Sequence, residues 1–182
     1  MPQRRTKRVC LLAEALQAQA IDATVFEPFV IAGLGGTPDS AVQTTEFTVT
    51  LHNIGKAGTR THQLRIKWQG ANALQGSSPM QERVVTEWAA CGIACAILWH
   101  HTGFRVREAA REGEGFDYWV GEGLELSGME VSGTFAPEVS EMQRRHREKQ
   151  AQLFSELSVG GYVAIIGFAG AKSFFRITRR RR

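Results

Sequence analysis

Residues 116–127 read FDYWVGEGLELS, and this stretch decides the fold expected for the chain. Aromatic and apolar residues at 116–120 and again at 124–127 are typical of two short strands. Glycines lie between them, and glycine adopts the backbone angles that a tight turn requires. The stretch therefore predicts two adjacent antiparallel strands, one carrying Asp117 and the other carrying Glu125.

The segments on either side complete an order of helices and strands. Ser78 is the expected N-cap of a helix in which apolar residues recur from Val84 to about His101, and Gly103 is placed to end that helix. Four further segments are predicted after it. Three are strands, near 104–107, 162–168 and 174–177, and one is a helix over 137–157. The order α-β-β-β-α-β predicts an α/β fold in which a mixed central β-sheet is flanked by helices.

We expect residues 1–77 to form an N-terminal extension to a core of residues 78–182. A short helix is expected near 7–19, and two alternating segments, 45–53 and 61–68, predict a β-hairpin with one apolar face. Residues 29–40, which are apolar and then glycine-rich at 32–38, are expected to form a loop. They lack the Lys-Ser/Thr pair and the following helix of a phosphate-binding loop.

Positive charge is concentrated at the two ends of the chain. The net charge is +4, and eight of the 22 Lys and Arg residues lie in Arg4–Arg8 and Arg179–Arg182. Such runs bind polyanions by counterion release, although solvated tails are the structural alternative. The ends and the hairpin tip predict nucleic-acid contacts at five residues: Lys56, Arg60, Arg179, Arg180 and Arg181.

The three cysteines do not form a disulfide framework. Cys91 and Cys95 lie four residues apart in a helix, and we expect them to be small buried side chains in a reducing compartment. No apolar run reaches the length of a membrane span, and the basic start does not lead into a sustained apolar core. These features predict a cytoplasmic protein with no membrane partner.

Three acidic side chains form the candidate site. Glu87 has small neighbours on its helix face, so we expect it to point towards the sheet. Asp117 and Glu125 would be cross-strand neighbours with Cβ atoms about 5 Å apart, and such carboxylates repel unless a proton or cation intervenes. Their oxygen atoms suit Mg²⁺ or Mn²⁺. Glu130 is the alternative third acid, although alternation turns it to the face opposite Glu125.

The second helix carries polar residues on its predicted inner face. Its apolar positions there are Val139, Met142, His146, Leu153 and Leu157. Lys149 and Gln150 fall among them and would point towards the sheet that holds the acids. Lys149 is therefore either part of the site, one half of a buried ion pair, or a side chain whose stem packs along the core.

A Glu on the first helix, then Gly115-Phe116-Asp117, then Glu125-Leu126-Ser127 resembles the PD-(D/E)XK nuclease-like superfamily over residues 78–168. The resemblance implies a restriction-endonuclease-like core and a Mg²⁺-dependent phosphodiesterase. Asp117 and Glu125 would hold the metal and Glu87 would orient metal or water. Ser127 occupies the position of the motif Lys. Members of the superfamily can carry that Lys on another element, and Lys149 is the candidate.

Two functions follow from this interpretation. One is a metal-dependent nuclease, a hydrolase acting on nucleic acid in phage defence or DNA repair. The alternative is a catalytically degenerate nuclease-like module, a structural or nucleic-acid-binding subunit of a larger complex with a protein partner or further copies of itself.

Overall fold

The structure is a computed structural model that describes residues 8–54, 58–73, 81–135, 138–156, 160–168 and 173–180. The strands are β1 (Arg8–Leu11), β2 (Val42–His52), β3 (Thr59–Gln69), β4 (Arg105–Ala109), β5 (Tyr118–Glu122), β6 (Glu125–Thr134), β7 (Gly161–Gly167) and β8 (Ser173–Arg180). The α-helices are α1 (Leu12–Gln17), α2 (Glu27–Gly33), α3 (Glu82–Thr102) and α4 (Val139–Glu156), and a 3₁₀ helix spans Ala23–Phe26.

All eight strands join in one mixed sheet, in the order β1-β3-β2-β8-β7-β6-β5-β4. Three neighbouring pairs are parallel, namely β1 with β3, β2 with β8, and β6 with β7, and the others are antiparallel. The prediction of an α/β protein with a mixed sheet flanked by helices is confirmed. The element order from α3 onwards is also the predicted one.

The helices α3 and α4 cover opposite faces of the sheet. Along β7, Tyr162 and Ala164 belong to the larger core that includes the buried face of α3. Val163 and Ile165, which alternate with them, pack with Leu153 of α4. The continuous apolar run of this strand is thus explained by burial on both faces.

The N-terminal residues belong to the same sheet and core as the rest of the chain. β2 and β3 form the predicted hairpin, and β2 continues the sheet by pairing with β8. Both α1 and α2 pack against α3. The sheet therefore crosses the sequence boundary placed at residue 78.

Several local predictions need correction. The expected helix over 7–19 begins as strand β1, because Arg8–Leu11 pairs with β3, and becomes helical only at Leu12. Part of the expected glycine-rich loop is α2, which ends at Gly33. α3 starts at Glu82, while its expected cap Ser78 lies outside the described residues.

Other local predictions are confirmed in part. Gly103 ends α3 in the left-handed conformation, with φ 74°. Cys10 and Cys95 are buried, whereas Cys91 is only half-buried. On α4, His146 and Leu153 are buried as expected, but Val139 is exposed at the first residue of the helix. None of the helices in the described ranges combines the length and apolar character that a membrane crossing requires.

Candidate functional site

Asp117 lies just before β5 and is tied to β6 by two hydrogen bonds. Its backbone N–H donates to the carbonyl oxygen of Met129 at 3.0 Å. Its side-chain Oδ2 accepts a hydrogen bond from the N–H of Val131 at 2.7 Å. These two bonds flank Glu130, so Asp117 and Glu130 are the acids that the two strands place side by side.

Lys149 brings a positive charge to this pair from α4. Its Nζ donates a charge-assisted hydrogen bond to Oε1 of Glu130. The side chain of Glu130 is 3% exposed, whereas that of Lys149 keeps 32% of its surface in contact with solvent. An ionised glutamate at such a depth is costly without a partner, and Lys149 supplies one. Lys149 thus points towards the sheet, as its place in the helix predicts.

Both carboxyl groups hold their protons more tightly than usual. Removal of water by surrounding protein atoms is the main cause of the raised pKa of Asp117 and of Glu130. Repulsion by Asp117 raises the pKa of Glu130 further, and the Lys149 ammonium opposes the rise in both pKa values. Two neighbouring carboxylates in this condition favour binding of a proton or a cation.

Glu125 lies away from this group. It begins β6 beside the turn, pairs with Glu122 across the hairpin and is exposed. The expectation that Asp117 and Glu125 are cross-strand neighbours is therefore wrong. The turn holds only two residues, and strand pairing then continues to Tyr118 opposite Met129, which puts Asp117 beside Glu130 instead.

Glu87 is exposed and does not point into the sheet. The buried face of α3 at this level is formed by Thr86 and Ala90, and a neighbouring residue is turned about 100° away from them. The Oε1 atom of Glu87 accepts a hydrogen bond from Nε of Arg83 at 2.8 Å. Glu87 remains close enough to Asp117 for its charge to contribute to the raised pKa of that carboxyl.

Asp117, Glu87 and Lys149 line one open pocket of about 740 Å³, and Lys149 links Glu130 to it. Its walls come from α3, β5, β6, α4 and the segment around the 3₁₀ helix. The charged side chains that line it are Asp22, Arg83, Glu87, Asp117, Arg145 and Lys149. The pocket therefore combines acids that can attract a metal ion with cations that can attract a phosphate.

Arg145 is a second cation that α4 directs at β6. Its Nε donates to Glu141 at 2.6 Å, and its Nη1 donates to the carbonyl oxygen of Gly133 at 3.3 Å. A longer contact of 3.4 Å joins Nη1 to the Ser132 hydroxyl. Since Ser132 follows Glu130 by two residues, the cations of α4 lie beside the part of β6 where a Glu-x-Lys sequence would place its Lys.

No protein family, curated protein or solved structure matches this chain. The interpretation of the site therefore depends on its own geometry and chemistry.

A divalent cation would find two suitable ligands here. Among the described residues, no three His, Cys, Asp or Glu side chains lie close enough together to form a complete metal site. Mg²⁺, however, usually keeps several waters and takes one or two protein carboxylates. Asp117 and Glu130 fit that requirement, because Glu130 has a second oxygen atom besides the one that binds Lys149.

Sequence reasoning gave Glu130 second place and did not single out Arg145. The signal for Glu130 was present in the sequence, because Met129 and Val131 flank it as apolar residues of a buried strand. The pairing register of the two strands could not be predicted from the sequence, because the glycines at 121 and 123 allow several types of turn.

The predicted nucleic-acid contacts are only partly described. Arg60 is exposed and hydrogen-bonds to the carbonyl oxygen of Ile54 within the hairpin. Lys56 and Arg181 lie outside the described residues, and Arg179 and Arg180 are placed as backbone at the end of β8. Their role in binding stays a prediction from the sequence.

Proposed function

We propose that this protein is a metal-dependent phosphodiesterase that cleaves nucleic acid. The observation that carries the proposal is the position of Lys149, which reaches from α4 to Glu130 beside Asp117. Two adjacent carboxylates with a lysine between them and the pocket can serve the hydrolysis of a phosphodiester with a divalent ion.

The residues divide the work between metal and phosphate. Asp117 and Glu130 would hold Mg²⁺ or Mn²⁺, which when bound activates water and stabilises charge on the phosphate. The Lys149 ammonium would stabilise the same developing charge and keep Glu130 ionised. Glu87 lies at the edge of the pocket, where Arg83 orients it.

The resemblance to the PD-(D/E)XK superfamily becomes more specific on this basis. Glu130-Val131-Ser132 replaces Glu125-Leu126-Ser127 as the proposed Glu-x-Lys position, and a serine again stands where the lysine is expected. Lys149 supplies the missing charge from α4. We place the proposed restriction-endonuclease-like core at α3-β4-β5-β6-α4-β7.

The test is cleavage of single-stranded and duplex DNA and RNA by the full chain with Mg²⁺, Mn²⁺ or EDTA. We expect cleavage with either metal and none in EDTA. The Asp117→Asn variant should lose it, whereas the control Glu122→Gln, at the exposed end of β5, should keep it. Absence of cleavage by the wild type under all these conditions would overturn the proposal. Salt-sensitive binding without cleavage would instead support the non-catalytic module.

A further inference from the structure

The pocket also has an aromatic wall. Trp88 lies on α3 next to Glu87, and the residue is 43% exposed although it lines the pocket. Val25, in the 3₁₀ helix, lines the same wall and is 47% exposed. Ligand pockets are commonly lined by aromatic and apolar side chains beside a few polar groups.

The ring of Trp88 is held from behind. Its centroid lies 4.9 Å from that of Phe29 with the planes inclined by 52°, and 5.9 Å from that of Phe26 with the planes nearly perpendicular. Such contacts fix the orientation of an indole while leaving its outer surface free. We call Trp88, backed by Phe26 and Phe29, the aromatic platform of the pocket.

The platform and the acids face the same space. Trp88, Asp117 and Lys149 all line the pocket of about 740 Å³, a volume within the range of sites that enclose a small organic molecule. Val25 and Phe26 bring the N-terminal part of the chain to the same pocket. The first 77 residues thus contribute directly to the site.

We infer that the pocket accepts an unpaired nucleotide, with its base stacked on Trp88 and its phosphate towards Lys149 and Arg145. This inference rests on the proposed function, and it names the substrate as single-stranded nucleic acid or an unpaired end. Bases inside a duplex are stacked on one another and cannot reach a side chain in a pocket wall unless they are flipped out. An aromatic face beside cations is the combination that proteins use for single strands.

The charges favour a nucleotide over an apolar ligand. Three cations, Arg83, Arg145 and Lys149, border the same cavity as the indole, together with three acids. A nucleotide presents an apolar face to the indole and a phosphate to the cations. The base face is common to all four nucleotides, so the platform predicts binding with little sequence preference.

The test measures binding in EDTA, where the strand stays intact. Fluorescence anisotropy would compare a short single strand, the same strand with abasic sites and the blunt duplex, each with wild type and Trp88→Leu. Leucine keeps an apolar side chain against Phe26 and Phe29 but removes the aromatic face. Leu124→Ala, at a fully exposed residue of the β5–β6 turn, is the control.

We expect the wild type to bind the single strand about tenfold or more tightly than the duplex, and Trp88→Leu to lose about tenfold on the single strand. Abasic sites should cost affinity in the wild type but little in Trp88→Leu, because both changes remove the same stack. Equal binding of single strand and duplex, or an unchanged affinity in Trp88→Leu, would overturn the inference. The proposed function would survive that result if Asp117-dependent cleavage is observed, and would fail separately if cleavage is absent.

Discussion

Lys149 is the residue whose position most directly suggests chemistry. Replacing it with methionine keeps most of the side-chain stem but removes the ammonium group that pairs with Glu130. Glu130 is almost fully buried. We expect the cleavage rate of Lys149→Met to fall by about 100-fold or more, since a lost electrostatic contact to the transition state has effects of that size. We also expect the free energy of unfolding to fall by about 2 kcal/mol, because a buried acid is left unpaired.

A matched control separates these effects from a general loss of charge. Lys67→Met removes an exposed lysine from β3. Two strands, β2 and β8, separate β3 from β7, on which α4 packs. Lys67→Met should change neither the rate of nucleic-acid cleavage nor the urea concentration at the midpoint of unfolding. If Lys149→Met cleaves as fast as Lys67→Met, Lys149 has only a structural role.

Asp117 should make the protein less stable as the pH rises. Its folded-state pKa lies above the ordinary value of 3.8, so the folded protein holds this proton more tightly than the unfolded chain. As the pH rises through the interval between the two values, the unfolded chain loses its proton first and the free energy of unfolding falls. Asp117→Asn, which cannot ionise, should lose this part of the pH dependence.

Urea unfolding in EDTA from about pH 4 to about pH 8 would measure that difference. Asp117→Asn should gain stability relative to the wild type as the pH rises. Parallel curves for the two proteins would show that burial does not raise the pKa of Asp117.

The residues of the site were predictable in type but not in register. Asp117 was identified from its place beside the predicted turn, and Lys149 from its place among the apolar positions of the second helix. The sequence ranked Glu125 above Glu130, although the choice depends on the number of residues in one turn, which the sequence does not determine. Glu87 does not point inward as expected, because the small side chains around it do not indicate which face of α3 is buried.

At the level of elements, α3 and β6 must approach closely for the pocket to form. Gly133 of β6 permits this, because a Cβ atom there would lie 2.7 Å from the backbone oxygen of Thr86 and 2.9 Å from the Cβ of Ala90. Gly133→Ala should therefore push α3 away and cost about 1–3 kcal/mol of stability.

The same substitution should reduce cleavage more than the loss of folded protein explains, since Glu87 and Trp88 move with α3. Thermal melting and the rate per folded molecule would measure both. A variant with wild-type stability and rate would show that the contact between α3 and Gly133 can relax freely.

Elements with strong periodicity were predicted best. The hairpin of β2 and β3 was found because it alternates over many residues, and β7 because it is continuously apolar. β1 and α2 were missed, because four residues are too few to show alternation and a helix running into a glycine-rich loop is masked by that loop. Pairing with β3 is a tertiary effect that local sequence does not reveal.

The whole molecule should unfold as one unit. β2 pairs with β8, and buried residues of the N-terminal part share a core with α3. We expect circular dichroism and tryptophan fluorescence to give coincident melting curves. A fragment containing residues 78–182 alone should fail to give a cooperative transition, because it exposes the face of α3 that packs on α1 and α2. Two separate transitions in the full chain, or a stably folded fragment, would contradict this.

In the proposed metal-dependent site, Glu130, and not Glu125, acts together with Asp117 and Lys149. The most direct measurement is the Mn²⁺-dependent rate of nucleic-acid cleavage by Glu130→Gln and Glu125→Gln, compared with the wild type. The structure predicts a loss of about 100-fold or more for Glu130→Gln and a wild-type rate for Glu125→Gln. A wild-type rate for Glu130→Gln, or a loss confined to Glu125→Gln, would contradict it.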